Sequence, residues 1–290
     1  NGKVWITADV TTGRASAEIR VSLISPDGKV SEIPANTEYE IEEPKLWWPN
    51  GWGEQPLYRI TVSLVENGAE VEKKKKTVGL RTLNLVREKD KYGVSFCHEV
   101  NGVRFFAMGA DYIPEDAILS RITPERTEKL LRECKDCNFN AIRVWGGGNY
   151  PNDDFFETCD RFGLVVFLDL MMACAHFPDD PEITEEFAQE VKENLTAIRH
   201  HACLAVISGN NECEPSLDSS QPLTRIHEKY LEVYEDLVPS IIEEICPEIP
   251  YVPSSPSSCG HFIDPQNENV GDTHYWQVWH GDKPFSEYRN

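Results

Sequence analysis

"AVISGNNECEPS", residues 205–216, is the stretch on which the reading of the chain turns. Ala205, Val206 and Ile207 run into Ser208 without polar alternation, the pattern of a strand covered on both faces. At Gly209 the run gives way to Asn210, Asn211 and Glu212, so one strand end delivers two amides and a carboxyl. Strands of this kind belong to parallel sheets packed under helices, where the C-terminal strand ends gather the chemistry.

The same grammar holds from residue 103 onward. Six apolar strands are expected: "VRFFAMGA", "NAIRVW", "LVVFLDL", "CLAVISG", "PYVPSS" and "VGDTHYW". Between them lie helices. Thr123 caps one that has Pro124 at its first position, a second spans Asp153 to Phe162 with Gly163 just past its end, a third runs from Thr184 to about His200, and Pro222 opens a fourth. Polar and aromatic residues collect at the strand ends: Asp111, Arg143 with Trp145, Asp169, Asn210 to Glu212, and His274 with Tyr275 and Trp276. A (β/α)8 barrel brings such ends into one ring. A doubly wound sheet would gather them at a single switch point and usually carries a glycine-rich phosphate turn. The glycine cluster "WGGGNYP" does not fit that turn and reads as a tight bend passing close to a pocket. A barrel is therefore expected, incomplete because six strands fall short of eight.

Before residue 84 the period is two, as in Ala17, Ile19, Val21, Leu23 and again in Tyr58, Ile60, Val62, Leu64. This predicts a small antiparallel β-sandwich over 1–84, followed by the barrel over 85–290. The run "KKKK" at 73–76 reads as a solvated strand rather than an anion site.

Composition narrows the partners. Lys plus Arg number 28 against 49 Asp plus Glu, a formal net charge of −21, which repels nucleic-acid backbones and anionic membranes. No apolar stretch reaches the roughly 20 residues of a spanning helix. "NGKVWITADV" lacks the features of a signal peptide and reads as a strand already under way, so the chain is expected to begin inside a longer protein. The nine cysteines sit at no framework spacing, which favours reduced thiols and a cytoplasmic setting. Cys134 and Cys137 form a CxxC, but the pair closes a helix and no second pair completes a zinc site, so a structural role is expected. His200-His201 reads as a helix C-terminal pair, and no metal or cofactor is implied.

The candidate chemistry centres on Glu212. A partly buried carboxyl flanked by amides can have its pKa raised enough to stay protonated and donate to a leaving group. Asn211 could hold a sugar 2-hydroxyl. The alternative is that Asn-Asn-Glu merely caps the strand. Trp145, Tyr275, Trp276 and Trp279 could stack on a pyranose, and core packing equally explains any one of them. No GxSxG elbow exists, and Ser257-Ser258-Cys259 has no base at recognisable spacing.

"RVWGGGNYPNDDFFETCDRFGLVVFLDLMMACAHFP", "IRHHACLAVISGNNECE", "SSPSS" and "GDTHYWQVWHGDKPF" together resemble the catalytic barrel of the β-mannosidases of glycoside hydrolase family 2. "LWWPNGWGEQPLY" and "VGLRTLNLV" are similar to the end of the immunoglobulin-like domain before that barrel. The resemblance spans essentially the whole chain. It implies a retaining exo-hydrolase that removes terminal β-D-mannose from non-reducing ends, with Glu212 as general acid/base and Asn211 on the 2-hydroxyl. It further implies that Arg143, Trp145, Asp169 and Tyr275 shape the sugar subsite. The family's nucleophile is the Glu of an S-E-[FY]-G strand. Ser286-Glu287-Tyr288 lacks the glycine and the apolar context, so the nucleophile is expected beyond residue 290 and the chain alone is expected to be inactive. The full-length protein is expected to add an N-terminal sugar-binding-type β-sandwich and C-terminal β-domains.

Three positions depart from the family pattern: Asp111-Tyr112 where Asn-Trp is common, Leu168-Asp169-Leu170 for QDF, and Cys213 where Asn is usual. Two other readings stay open. One is a family 2 hydrolase of another β-glycoside, a glucosaminide or galactoside, for which an extra carboxylate such as Asp111 near the 2-position is the sign. The other is a non-catalytic carbohydrate-binding module.

Overall fold

The structure, a computed structural model, describes residues 3–217, 223–258 and 260–289. The alternating segments form β1 (Val4–Ile6), β2 (Glu18–Ile24), β3 (Val30–Ile33), β4 (Tyr39–Ile41), β5 (Tyr58–Glu66) and β6 (Ala69–Val78). They make a four-stranded antiparallel sheet in the order β3-β2-β5-β6 and a two-stranded antiparallel pair, β1-β4. The period of two turns Val21, Leu23, Tyr58 and Ile60 inward, where they meet Ile41, Ala8 and Leu80 in one apolar core. Lys73 to Lys76 lie exposed on the edge strand β6, and lysines there discourage pairing with another chain.

A three-stranded antiparallel meander follows: β7 (Leu83–Val86), β8 (Cys97–Val100) and β9 (Val103–Phe105). It splits the expected strand "VRFFAMGA". Asn101 and Gly102, with φ of 52° and 79°, make the Asn-Gly turn that folds β9 back on β8. The parallel sheet starts only at β10 (Gly109–Tyr112), then adds β11 (Ala141–Val144), β12 (Val165–Asp169), β13 (Leu204–Ser208) and β14 (Tyr251–Val252) in chain order. Among the described residues it has five strands, not the six expected. Residues 270–276 form no strand. Val270 and Asp272 make single bridges, to Val94 and Ser257, while Asp272 and His274 direct their side chains into hydrogen bonds with the neighbouring loops.

The helices cover this sheet. In α1 (Pro124–Asp136) the Thr123 side chain accepts from Arg126 N, and α2 (Asp153–Phe162) ends on Gly163 at φ 73°, the left-handed conformation that glycine supplies without strain. α3 (Pro181–Ile198) begins three residues earlier than expected. Asp180 caps it and Pro181 opens it, while Thr184 Oγ1 only donates back to Asp180 O. Pro222 lies outside the described residues; the next rod is α4 (Arg225–Tyr230), a π-helical stretch over Leu231–Leu237 and α5 (Val238–Ile245). No described helix is long and apolar enough to cross a membrane.

The antiparallel sheets join the parallel one at the N-terminal ends of its strands. Trp47 is fully buried and its Nε1 donates to Asp160 O at 2.7 Å. Arg81 donates to Ala202 O and Leu204 O at the start of β13, and Asn50 Nδ2 donates to Phe139 O before β11. His201 Nδ1 lies 2.7 Å from Asp160 Oδ2, both about 1% exposed, and Cys203 N donates to Asp160 Oδ1. This end is sealed, which leaves the C-terminal strand ends free for a site.

Candidate active site

Beyond Ser208 the two amides divide their work. Asn210 is a staple: its Nδ2 donates to Pro253 O (2.9 Å), and its Oδ1 accepts from Cys213 N (2.9 Å) and Ser254 Oγ (2.7 Å). Asn211 extends the ladder, bridging Ala173 on one side and Ser255 on the other. Glu212 then adopts φ 60°, uncommon for a residue with a side chain, with its N–H donating to Ser255 O. That turn aims its carboxyl into an open hollow of about 640 Å³, which Arg143, Trp145, Asn211 and Tyr275 also line. The capping alternative thus describes Asn210 but not its two successors.

Arg143 organises the floor. Its Nε and NH2 grip Asp169 at 3.3 and 2.6 Å, NH2 also donates to Asn211 Oδ1 at 2.8 Å, and NH1 reaches Asp111 at 3.4 Å. Asp169, expected to help shape a sugar subsite, is fully buried and lies behind Arg143 rather than among the residues lining the hollow. It accepts from Gly146 N as well. Burial pushes Asp169 up to about 6 against the pull of Arg143 and the Gly146 N–H, so the pair is ionised at neutral pH. Arg143 is held above its usual value, because Asp169 and Asp111 outweigh the burial that lowers it.

The glycine cluster does what a tight bend requires. A Cβ on Gly146 would stand 2.7 Å from both Leu170 O and Met172 O, and one on Gly147 would enter the Trp145 ring at 2.0 Å. The bend therefore lies flat over the indole and fixes Trp145 as a wall.

Glu212 itself has partners on both oxygens. Oε1 is 2.5 Å from His274 Nδ1 and accepts from Trp276 Nε1 at 3.4 Å, and Cys174 Sγ lies 3.5 Å from Oε2. His274 is anchored in turn by Ser255 Oγ at 3.1 Å, which donates to Asp272 at 2.6 Å. Burial alone would raise the Glu212 pKa, but the hydrogen bonds and charge of His274 and the bonds from Cys174 and Trp276 outweigh it, leaving the carboxyl below its ordinary value. This reverses the expected upward shift, which reckoned with burial and not with a histidine 62 residues away.

Other expectations find their places. Tyr275 stands beside the Tyr288 ring at 6.2 Å and hydrogen-bonds Glu287. Cys213 is buried in the core with its thiol on Asn211 O, so the departure there does not face the hollow. Cys134 and Cys137 are unbonded thiols; Cys259 lies outside the described residues. Ser257 Oγ donates to the buried carboxyl of Glu214 at 2.8 Å, which Phe262 N also approaches; burial pushes Glu214 up to about 7. Sequence reasoning missed Cys174, Ser255, Asp272 and Glu214 as members of this network, and assigned His274 no role.

The family model described as "Glycosyl hydrolases family 2" matches residues 2–81. "Beta-mannosidase B" of Emericella nidulans is 37% identical over 94% of this chain and 33% of its own length. The protein of the same name from Aspergillus oryzae is 38% identical over 85% of this chain and 30% of its own. Among solved structures, the β-D-mannosidase of Dictyoglomus thermophilum superposes with a TM-score of 0.83 at 32% identity, over 94% of this chain and 35% of that one. The chain thus spans about a third of the length of the curated relatives it matches. What these matches establish is that the chain is a glycosyl hydrolase family 2 relative, similar to β-mannosidases over nearly all of its length.

Proposed function

We propose that this chain carries the acid/base half of a retaining exo-glycosidase that releases terminal β-D-mannose from non-reducing ends. One observation carries the reading: Glu212 projects from the end of a buried parallel strand into an aromatic-walled hollow, with its carboxyl held from two sides. The β-mannosidase relatives support the choice of sugar.

In this scheme Glu212 gives its proton to the leaving oxygen and later takes one from the attacking water. Asn211 has Oδ1 occupied by Arg143, so its Nδ2 is the atom that meets the sugar 2-hydroxyl. Trp145 and Tyr275 frame the ring. Asp169 acts from below, by bracing Arg143.

A retaining reaction needs a second carboxylate about 5–5.5 Å from the first. Of the residues lining the hollow, only Asp111 also carries one, and it pairs with Arg143. We assign the nucleophile to chain outside these residues. Its negative charge would also push Glu212 upward, supplying the protonated acid that the present surroundings disfavour. We further read 1–84 as an immunoglobulin-like sandwich and 85–290 as the opening part of a (β/α)8 barrel.

The test is hydrolysis of p-nitrophenyl β-D-mannoside by these 290 residues and by the longest natural chain that contains them. Turnover by the longer chain alone is expected. Turnover by the short chain would put the nucleophile inside it. Cleavage of a β-glucosaminide or β-galactoside instead would overturn the choice of sugar, and sugar binding without any cleavage would favour a binding module.

A further inference from the structure

Cys174 stands where the proposed proton transfer occurs, yet neither motif nor spacing singles it out. Its thiol is 3.5 Å from Glu212 Oε2 and 3.4 Å from Asn211 Nδ2. A thiol can give one hydrogen bond and accept another, so the S–H points to Oε2 and the sulfur receives the amide N–H. The backbone is bent to bring this about. Cys174 has φ 52° and Glu212 φ 60°, two non-glycine residues in a conformation that costs energy and collects at functional sites. Cys174 N also donates to Asn211 O at 2.8 Å, and Asn211 N to Met172 O. The two strand ends are thus locked in register, and that register sets the sulfur opposite the carboxyl.

The two oxygens of Glu212 are not equivalent. Oε1 has the short contact to His274 Nδ1 and accepts from the indole N–H of Trp276; with a proton on Nδ1, both are donors that favour negative charge on that atom. Oε2 faces only the weaker thiol among the described partners, so the carboxyl proton belongs on Oε2.

We propose that Cys174 is a positioning residue that holds Oε2, the proton-delivering oxygen of Glu212, in line with the leaving group while fixing the amide of Asn211 for the sugar 2-hydroxyl. This rests on the reading of Glu212 as acid/base. In the step, the O–H bond of Glu212 breaks toward the glycosidic oxygen as the anomeric C–O bond breaks with its electron pair staying on the leaving oxygen, while the carboxylate nucleophile assigned above to chain outside these residues forms a bond to the anomeric carbon. Glu212 is faced by His274, Trp276 and Cys174. Cys174 is faced by Glu212 and Asn211, with the Arg143–Asp111 pair on the floor.

Two measurements test the proposal in the longest natural chain. The first compares kcat/KM on 2,4-dinitrophenyl β-mannoside, whose leaving group needs no proton, with that on a β-mannosyl disaccharide, whose leaving group does. Cys174→Ala should lower the disaccharide rate by about 10- to 100-fold, the scale of a misplaced reacting group, and the dinitrophenyl rate by far less. Cys174→Ser, with a hydroxyl in place of the thiol, should recover most of the loss. Equal losses on both substrates, or none on either, overturn the proposal. The second needs no activity. Burial, the Glu212 charge and the shared hydrogen bond all hold the Cys174 thiol above its ordinary pKa. In Glu212→Gln, peptide-resolved alkylation of Cys174 should therefore reach its half-maximum at lower pH while exposed Cys137 stays put. No movement overturns the contact itself. A wild-type chain inactive on both mannosides overturns instead the reading of the site, and the alkylation shift still decides whether Cys174 and Glu212 are paired.

Discussion

The two ends of the parallel sheet each hold a histidine against a carboxylate, and they treat the pair in opposite ways. At the N-terminal end His201 and Asp160 meet at 2.7 Å with side chains about 1% exposed, under the roof formed by Trp47 and Arg81. At the C-terminal end His274 and Glu212 meet at 2.5 Å with side chains 16% and 25% exposed. In the closed pair both carboxylate oxygens of Asp160 are taken, one by His201 Nδ1 and the other by Cys203 N. The open pair keeps one carboxylate oxygen turned toward a hollow. The contact chemistry is nearly the same, and what separates a joint from a site is whether anything else can reach it.

Breaking the closed end should have the largest effect. Asp160→Ala leaves His201 Nδ1 and Cys203 N without their partner, and buried orphans of this kind cost about 1–3 kcal/mol each. Urea denaturation should report a loss of about 3–5 kcal/mol, and an unchanged midpoint would mean the joint is not a stability element.

Glu214 ranks next and reads out through pH. Its folded value of about 7 lies above the roughly 4.3 of an unfolded Glu, so the folded state binds the proton more tightly. The stability it contributes is complete below about pH 4.3 and is lost as pH rises toward 7. Glu214→Gln should flatten the pH dependence of the denaturation midpoint across that window. A slope equal to that of the original chain would refute the assignment.

The open pair gives a smaller effect, read as a direction. His274→Ala removes the partner that outweighs burial, so the Glu212 carboxyl should titrate at higher pH in a carbon-13 NMR experiment; a downward shift would contradict the account. At the bottom of the scale, Lys74→Ala on the exposed edge of β6 should move stability by no more than about 0.5 kcal/mol.

How much of this could be read from residues alone follows the range of the interactions. Helix ends are local, and Thr123-Pro124, Asp153 and Gly163 were legible because cap and glycine lie within a turn of what they satisfy. The third helix was misplaced because Thr184 is also a good cap, and only the actual fold selects Asp180-Pro181. The expected strand "VRFFAMGA" divides because the Asn101-Gly102 turn just before it folds Val103–Phe105 back on β8, so the parallel sheet begins only at Gly109. "VGDTHYW" has aromatic residues enough for a strand, but its polar side chains are taken by partners 15 to 62 residues away. Glu212 was visible because it ends a strand. Its lowered pKa was not, since that depends on His274, and neither was Cys174, whose importance lies in an approach between two strand ends.

The most direct test of the central claim is to convert Glu212 to Ala in the longest natural chain and follow aryl β-mannoside turnover with and without azide. If Glu212 is the acid/base, loss of acid/base assistance should lower the rate by about 10²- to 10⁴-fold. Azide should restore turnover and yield β-mannosyl azide, because an anion needs no base to attack the glycosyl-enzyme. Undiminished turnover without azide, or a loss that azide leaves untouched, would contradict the assignment.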